Sequence, residues 1–230
     1  MKSSLIIAGG GLLVLTMGAI ALRRQRERAA RSALAARHGW TIPPYGRLSW
    51  SDRLGEVGPC RIGHGRRLGT VFRTRDGIWL FSYVCDTGFE HRRGRHAWRL
   101  AVCERSHGCG RASMTRDDWF IAMMTTPDSH TLSLAGDEAS ERRSNGRGVE
   151  GQVEWHPNGP VALVEDREEW RARLDAGLGA WFRAQPRKRS WQVLPGLIVG
   201  FEPGPFLEDC MEALAEATRQ LAEGLLETGN

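Results

Sequence analysis

Residues 5–22 carry no charge and run directly into Arg23-Arg24-Gln25-Arg26-Glu27-Arg28. Eighteen uncharged residues have few outlets in water. Wound as a helix at about 1.5 Å per residue they extend about 27 Å, close to the thickness of a bilayer's hydrocarbon core. The pattern predicts one transmembrane helix capped by positive charge. Gly9, Gly10 and Gly11 would weaken a helix in water, but a chain in lipid has no alternative to internal backbone hydrogen bonding.

A cleaved secretory signal is the rival reading. Lys2 supplies a short basic start, and Ala19-Ile20-Ala21 has the small-x-small form of a cleavage site. Arg23 and Arg24 would lie just behind that cut, which counts against it. Arg23, Arg24, Arg26, Arg28 and Arg31 outweigh Lys2 and the amino terminus, so the positive-inside rule places the N-terminus outside and residues 23–230 in the cytoplasm. The chain then divides into a tail (1–4), a transmembrane helix (5–22), a basic juxtamembrane helix (23–39) and a folded α+β domain (40–230). Cys60, Cys85, Cys103, Cys109 and Cys210 are odd in number and scattered, as suits reduced thiols rather than a disulfide framework.

The part beyond the anchor is long enough to bury a single good core. Lysine and arginine total 32 against 27 acidic residues, and only Lys2 and Lys188 are lysines. Much of the basic excess sits beside the apolar segment, where each arginine gains about 1 kcal/mol near anionic headgroups. Membrane lipid is therefore the expected partner of this charge, and nucleic acid is not.

Residues 25–37 read as a helix stopped by Gly39. Prolines and glycines break residues 40–67 into extended chain and turns. Residues 69–75 and 78–86 flank Asp76-Gly77, a dipeptide favoured in two-residue hairpin turns, and residues 96–104 alternate as a third strand, which makes an antiparallel meander. Trp79, Phe81, Tyr83 and Cys85 share one strand face, Leu80, Ser82 and Val84 the other. Short strands are expected at 131–134 and 151–155, with a charged loop at 136–148 between them. Residues 165–183 carry Trp170, Leu174, Leu178, Trp181 and Phe182 at helical spacing. A second hairpin, 190–194 and 197–202, turns at Pro195-Gly196. A last amphipathic helix begins near Pro205 and runs through Leu226.

Several short motifs together resemble a group of single-pass, membrane-anchored proteins of actinobacterial type. They are Ala33-Leu34-Ala35-Ala36-Arg37-His38-Gly39-Trp40, Gly58-Pro59 with Gly63-His64-Gly65-Arg66-Arg67, Ile78-Trp79-Leu80-Phe81-Ser82-Tyr83 before Trp98-Arg99-Leu100-Ala101-Val102, and the ending Leu197-Ile198-Val199-Gly200-Phe201. The resemblance implies the anchor and the α+β layout; the group has no assigned activity, so it supplies no catalytic residue.

Cys103, His107 and Cys109 place two thiols and an imidazole within seven residues, three possible zinc ligands. A structural site wants four, and only Cys85, His91 or His96 could complete it. Cys85 or Cys103 beside a histidine could make a nucleophile, though no family signature surrounds either thiol. Asp117-Asp118 and Glu168-Glu169 are adjacent pairs, which a helix points about 100° apart, so they read as acids of a helix's first turn. His64, Arg66 and Arg67 lack both the dinucleotide-loop spacing and the P-loop Gly-Lys-Ser/Thr, but could meet an anion or a lipid headgroup. The nine tryptophans read as core. These residues imply no cofactor. The function expected is a membrane-anchored binding or scaffold module that meets a partner protein or the bilayer surface at the inner face of a bacterial cell membrane. An enzyme or zinc protein built on Cys103, His107 and Cys109, and an exported envelope protein, are the alternatives.

Overall fold

The computed structural model describes residues 2–44, 48–61, 64–87, 94–105, 109–116, 152–155, 161–164 and 167–227, with the backbone alone at 2–16, 61, 64, 87, 152–155, 161–164, 167 and 227. The expected strand at 131–134, the loop at 136–148, His91, His107 and the pair Asp117-Asp118 lie outside the described residues. The chain forms two compact units, Met1–Ile42 and Pro43–Asn230.

The first unit is built on α1 (Lys2–His38), a single helix of 37 residues that joins the expected transmembrane and juxtamembrane helices without a break. Its end is chemically specified. Gly39 takes a φ of 64°, its N–H donates to the Ala36 carbonyl at 3.3 Å, and the Trp40 N–H donates to the Ala35 carbonyl at 2.8 Å. That is the paired bonding of a Schellman cap, which uses glycine's access to left-handed backbone. Among the described residues no helix is long and apolar enough to cross a membrane. Residues 5–16 of the apolar segment are described by backbone alone, and residues 17–22 are exposed.

The second unit is α+β, built around one eight-stranded antiparallel sheet. The strands are β1 (His64–Arg73), β2 (Trp79–Thr87), β3 (Gly94–Cys103), β4 (Ala112–Thr115), β5 (Gln152–Trp155), β6 (Val161–Val164), β7 (Ser190–Leu194) and β8 (Leu197–Pro203), in the order β1-β2-β3-β8-β7-β4-β6-β5. Both expected hairpins are present. The first closes differently: the Gly77 N–H donates to the Thr74 carbonyl at 3.1 Å, the Thr74 N–H to the Ile78 carbonyl at 2.8 Å, and Gly77 has a φ of 84°. This is a three-residue loop, a turn followed by a left-handed glycine, rather than the two-residue turn that Asp-Gly suggests. The ends of the first hairpin's loop are tied again where the Ile78 N–H donates to the Thr74 hydroxyl at 3.0 Å.

Each face of the central strands has its own cover. On one, Trp79, Phe81, Tyr83 and Cys85 join Trp98, Leu100, Val102, Leu194, Leu197, Val199 and Phe201 in a core closed by Trp50, Val57 and Cys60. Trp50 and Val57 flank a 3-10 turn (Ser51–Glu56) and Cys60 lies in a one-turn α2 (Gly58–Arg61), local order where turns and extended chain were expected. Trp50 stacks on Phe81 at 4.8 Å, and the Gly58 N–H donates to Gln192 Oε1 at 2.6 Å. The other face is covered by α5 (Glu208–Glu227), whose inward stripe is Met211, Leu214, Thr218, Leu221 and Leu225. It lies close over β8, since a Cβ at Gly200 would land on the Thr218 hydroxyl and 2.9 Å from Trp191 Nε1.

The expected helix at 165–183 is two helices. α3 (Arg167–Arg173) passes through a π-helical stretch (Leu174–Leu178), where Gly177 has a φ of 124°, into α4 (Gly179–Ala184). The break keeps Trp170, Leu174 and Phe182 buried, with Phe182 edge-on to Trp191 at 5.4 Å.

Candidate functional site

Four groups of side chains were expected to carry function, and the fold treats them differently. In α1, Arg23, Arg24, Arg26 and Arg28 are exposed and Arg31 is half-buried. Arg24, Arg28 and Arg31, spaced by four and three, share a side of the helix, while Arg23 donates from Nε to Glu27 Oε1 at 3.0 Å one turn on. All but one of these guanidinium groups follow within two turns of Leu22, the end of the uncharged segment.

Residues 64–67 of the Gly-His-Gly-Arg-Arg motif lie in β1, in a region expected to be extended chain and turns. β1 is the outer strand of the meander, and residues 65–69 along it are exposed. Its pairing with β2 is irregular twice, between His64 and Arg67 and between Leu68 and Val71. The register sets His64 opposite Asp86, and Asp86 in turn opposite Arg95 of β3. The His64 side chain lies outside the described residues. Arg66 lies near the Cys60 and Cys85 thiols and the Tyr83 phenol and favours their ionised forms. Burial is the larger effect and raises all three. Tyr83 donates its hydroxyl to the Cys60 carbonyl at 3.2 Å.

Cys103 and Cys109 are both buried, in different surroundings. Cys103 closes β3 opposite Ile198 of β8. Cys109 lies 4.0 Å from the Leu225 carbonyl, beside Glu169 and Arg173. Burial raises both thiols, outweighing the nearest arginine in each case. Among the described residues no three His, Cys, Asp or Glu side chains are placed to hold a metal ion. Glu168 and Glu169 do stand in the first turn of α3, as expected of helix-start acids. Glu169 has a further use: it accepts from the Gly110 N–H at 3.2 Å and pairs with Arg173 at 2.9 Å, and Arg173 reaches the Leu225 carbonyl at 3.4 Å. That joins the 109–110 segment, α3 and the last turns of α5.

Comparison with protein-family models, curated proteins and solved structures finds no match.

One constellation escaped the sequence. Arg99, Glu202 and Arg189 lie side by side across β3, β8 and the start of β7, with Arg99 and Glu202 in register. Arg99 Nε sits 3.0 Å from Glu202 Oε1, and Arg189 Nε donates to Glu202 Oε2 at 3.1 Å. Arg189 and Glu202 are each 6% exposed. Two guanidinium groups share one carboxylate, and backbone carbonyls take up further donors: Arg99 Nη2 donates to Pro203 at 2.9 Å and Arg189 Nη1 to Ala213 of α5 at 3.2 Å. The cluster fixes α5 against the sheet. A charge in a strand whose same-face neighbours, Ala101 and Cys103, are apolar was the available signal.

Proposed function

We propose that this chain is a single-pass membrane protein, N-terminus outside, whose unit 43–230 works at the inner face of the cell membrane as a binding or scaffold module. The observation that carries the reading is the state of α1 at the end of its apolar segment. Met17, Ile20 and Leu22 are 63%, 53% and 50% exposed, and their neighbours in residues 17–22 are exposed as well. A helix segment that is apolar all round needs an apolar surrounding, and these described residues are exposed. Lipid would supply it. The arginines that follow suit the headgroup layer of the cytoplasmic leaflet, and their excess sets the orientation. The resemblance to single-pass proteins of actinobacterial type points the same way.

Binding is favoured over thiol chemistry by the cysteines themselves. Burial raises Cys60, Cys85, Cys103 and Cys109, which disfavours the thiolate that a nucleophile or a metal ligand needs. Alkaline carbonate extraction of membranes from cells expressing the chain tests the anchor. The full chain is expected to remain in the pellet, and a variant lacking residues 5–22 to be released. Release of the full chain would overturn the anchor, and a shortened product beginning near Leu22 would establish the exported alternative.

A further inference from the structure

The exposed edge of the meander presents a second basic surface, separate from the arginines of α1. We infer that the outer edge of β1, through Arg66, Arg67 and Leu68 with Arg95 of β3, is a contact site for anionic phospholipid headgroups. The inference rests on the proposed anchor, which would hold the unit within reach of a bilayer.

Three observations carry it. The first is charge. Arg66, Arg67 and Arg95 are exposed at the same end of the adjoining strands β1, β2 and β3, where Asp86 is the acid that the strand register sets among them. The second is an exposed apolar side chain within the charge. Leu68, 42% exposed, directly follows Arg66-Arg67. A leucine next to arginine at an exposed strand edge matches a bilayer surface, where phosphate meets the guanidinium groups and the acyl boundary accepts the apolar tip. The third is the form of the edge. Gly65 has a φ of 59°, and irregularities on both sides of Arg67-Leu68 disturb the regular ladder that an added β-strand would need. The edge is thus better formed for side-chain contact than for strand addition. A nucleic acid would share the phosphate, but among the described residues the aromatic side chains of β2 and β3, Trp79, Phe81, Tyr83 and Trp98, belong to the core and are not offered for base stacking.

The test uses the full chain in lipid nanodiscs, with backbone amide exchange of residues 64–73 as the readout and exchange of β8 as the internal control. Discs containing phosphatidylglycerol are expected to slow exchange in β1 relative to discs of phosphatidylcholine alone. Added salt and the double variant Arg66→Gln/Arg67→Gln should each abolish the difference. At about fivefold per arginine, the double variant should weaken the contact more than tenfold. Arg67→Gln/Arg95→Gln, which leaves Arg66 beside the thiols in place, should do the same. Equal exchange in both kinds of disc, with the chain anchored, would overturn the inference and leave the anchor standing. Slowing by inorganic phosphate in phosphatidylcholine discs would assign the surface to a free anion, and slowing by a single-stranded oligonucleotide would assign it to nucleic acid; either overturns the lipid. If the chain fails to enter discs at all, the anchor fails, and co-sedimentation with phosphatidylglycerol vesicles decides the surface: loss of binding in the double variant sustains it, and absence of binding overturns it.

Discussion

The two long helices, α1 and α5, solve the same problem in opposite ways. α5 alternates an apolar stripe with Glu208, Asp209, Glu212, Glu216 and Glu223, and it buries Met211, Leu214, Leu221 and Leu225 against the sheet. Apolar area is removed from water by protein, at about 25 cal/mol per Å². In α1, by contrast, residues 17–22 are exposed on every side and the charges follow in a block, the only half-buried or buried positions from residue 17 to the helix end being Arg31, Leu34, Ala35 and His38. Under the proposed function that apolar surface is covered by lipid. Amphipathic periodicity marks a helix that a domain covers, whereas an uninterrupted apolar block ending in arginine is the pattern on which the proposed lipid anchor rests.

The contrast can be broken most severely at Glu202. Glu202→Ala leaves Arg99 and Arg189 buried without their carboxylate, and chemical denaturation followed by tryptophan fluorescence should show a loss of about 3–5 kcal/mol. Because Arg189 also holds the Ala213 carbonyl, amide exchange in α5 should accelerate, while exchange in α1 stays unchanged. Next comes Leu221→Ala on the inward stripe of α5. It removes a fully buried side chain and should cost about 3 kcal/mol by the same assay.

A pH series sharpens the comparison further, since the raised thiols belong to the 43–230 unit alone. A thiol raised above its ordinary value of 9.0 in the folded state keeps its proton where the unfolded chain has released it. Stability is therefore level below about pH 8 and falls above pH 9, by about 1.4 kcal/mol per pH unit for each such thiol until the folded group also ionises. Cys60→Ala should flatten that decline. The smallest effect is expected in α1: Ile20→Ala should move the unfolding of the 43–230 unit by less than about 0.5 kcal/mol. A loss comparable with that of Leu221→Ala would mean that protein, not lipid, covers this helix.

Elements governed by local chemistry were legible. Gly39 ends α1, Pro195-Gly196 turns the second hairpin, and the alternation of residues 78–86 and 96–104 gives β2 and β3 within two residues at each end. β1 was expected to start five residues later than it does, because Gly65 looks like a turn residue when it serves an irregular outer strand. β4 and β6 were missed: four-residue strands such as Ala112–Thr115 are too short to show a period, and the partners of β4, β6 and β7, are distant from it in sequence. Gly177 broke a helix whose apolar spacing looked continuous. Of the candidate sites, the exposed arginines of α1 and β1 were readable as clustered charge. The triad was not, because Arg99 and Glu202 are far apart in the chain and meet only through strand order.

Topology in intact cells tests the central claim most directly. Arg75, exposed in the first hairpin loop, is replaced by cysteine in a Cys210→Ser background, and cells are treated with a membrane-impermeant maleimide before and after lysis. Protection until lysis, with the chain in the membrane fraction, is the result the account predicts. Labelling of intact cells would contradict it, placing the 43–230 unit outside the membrane.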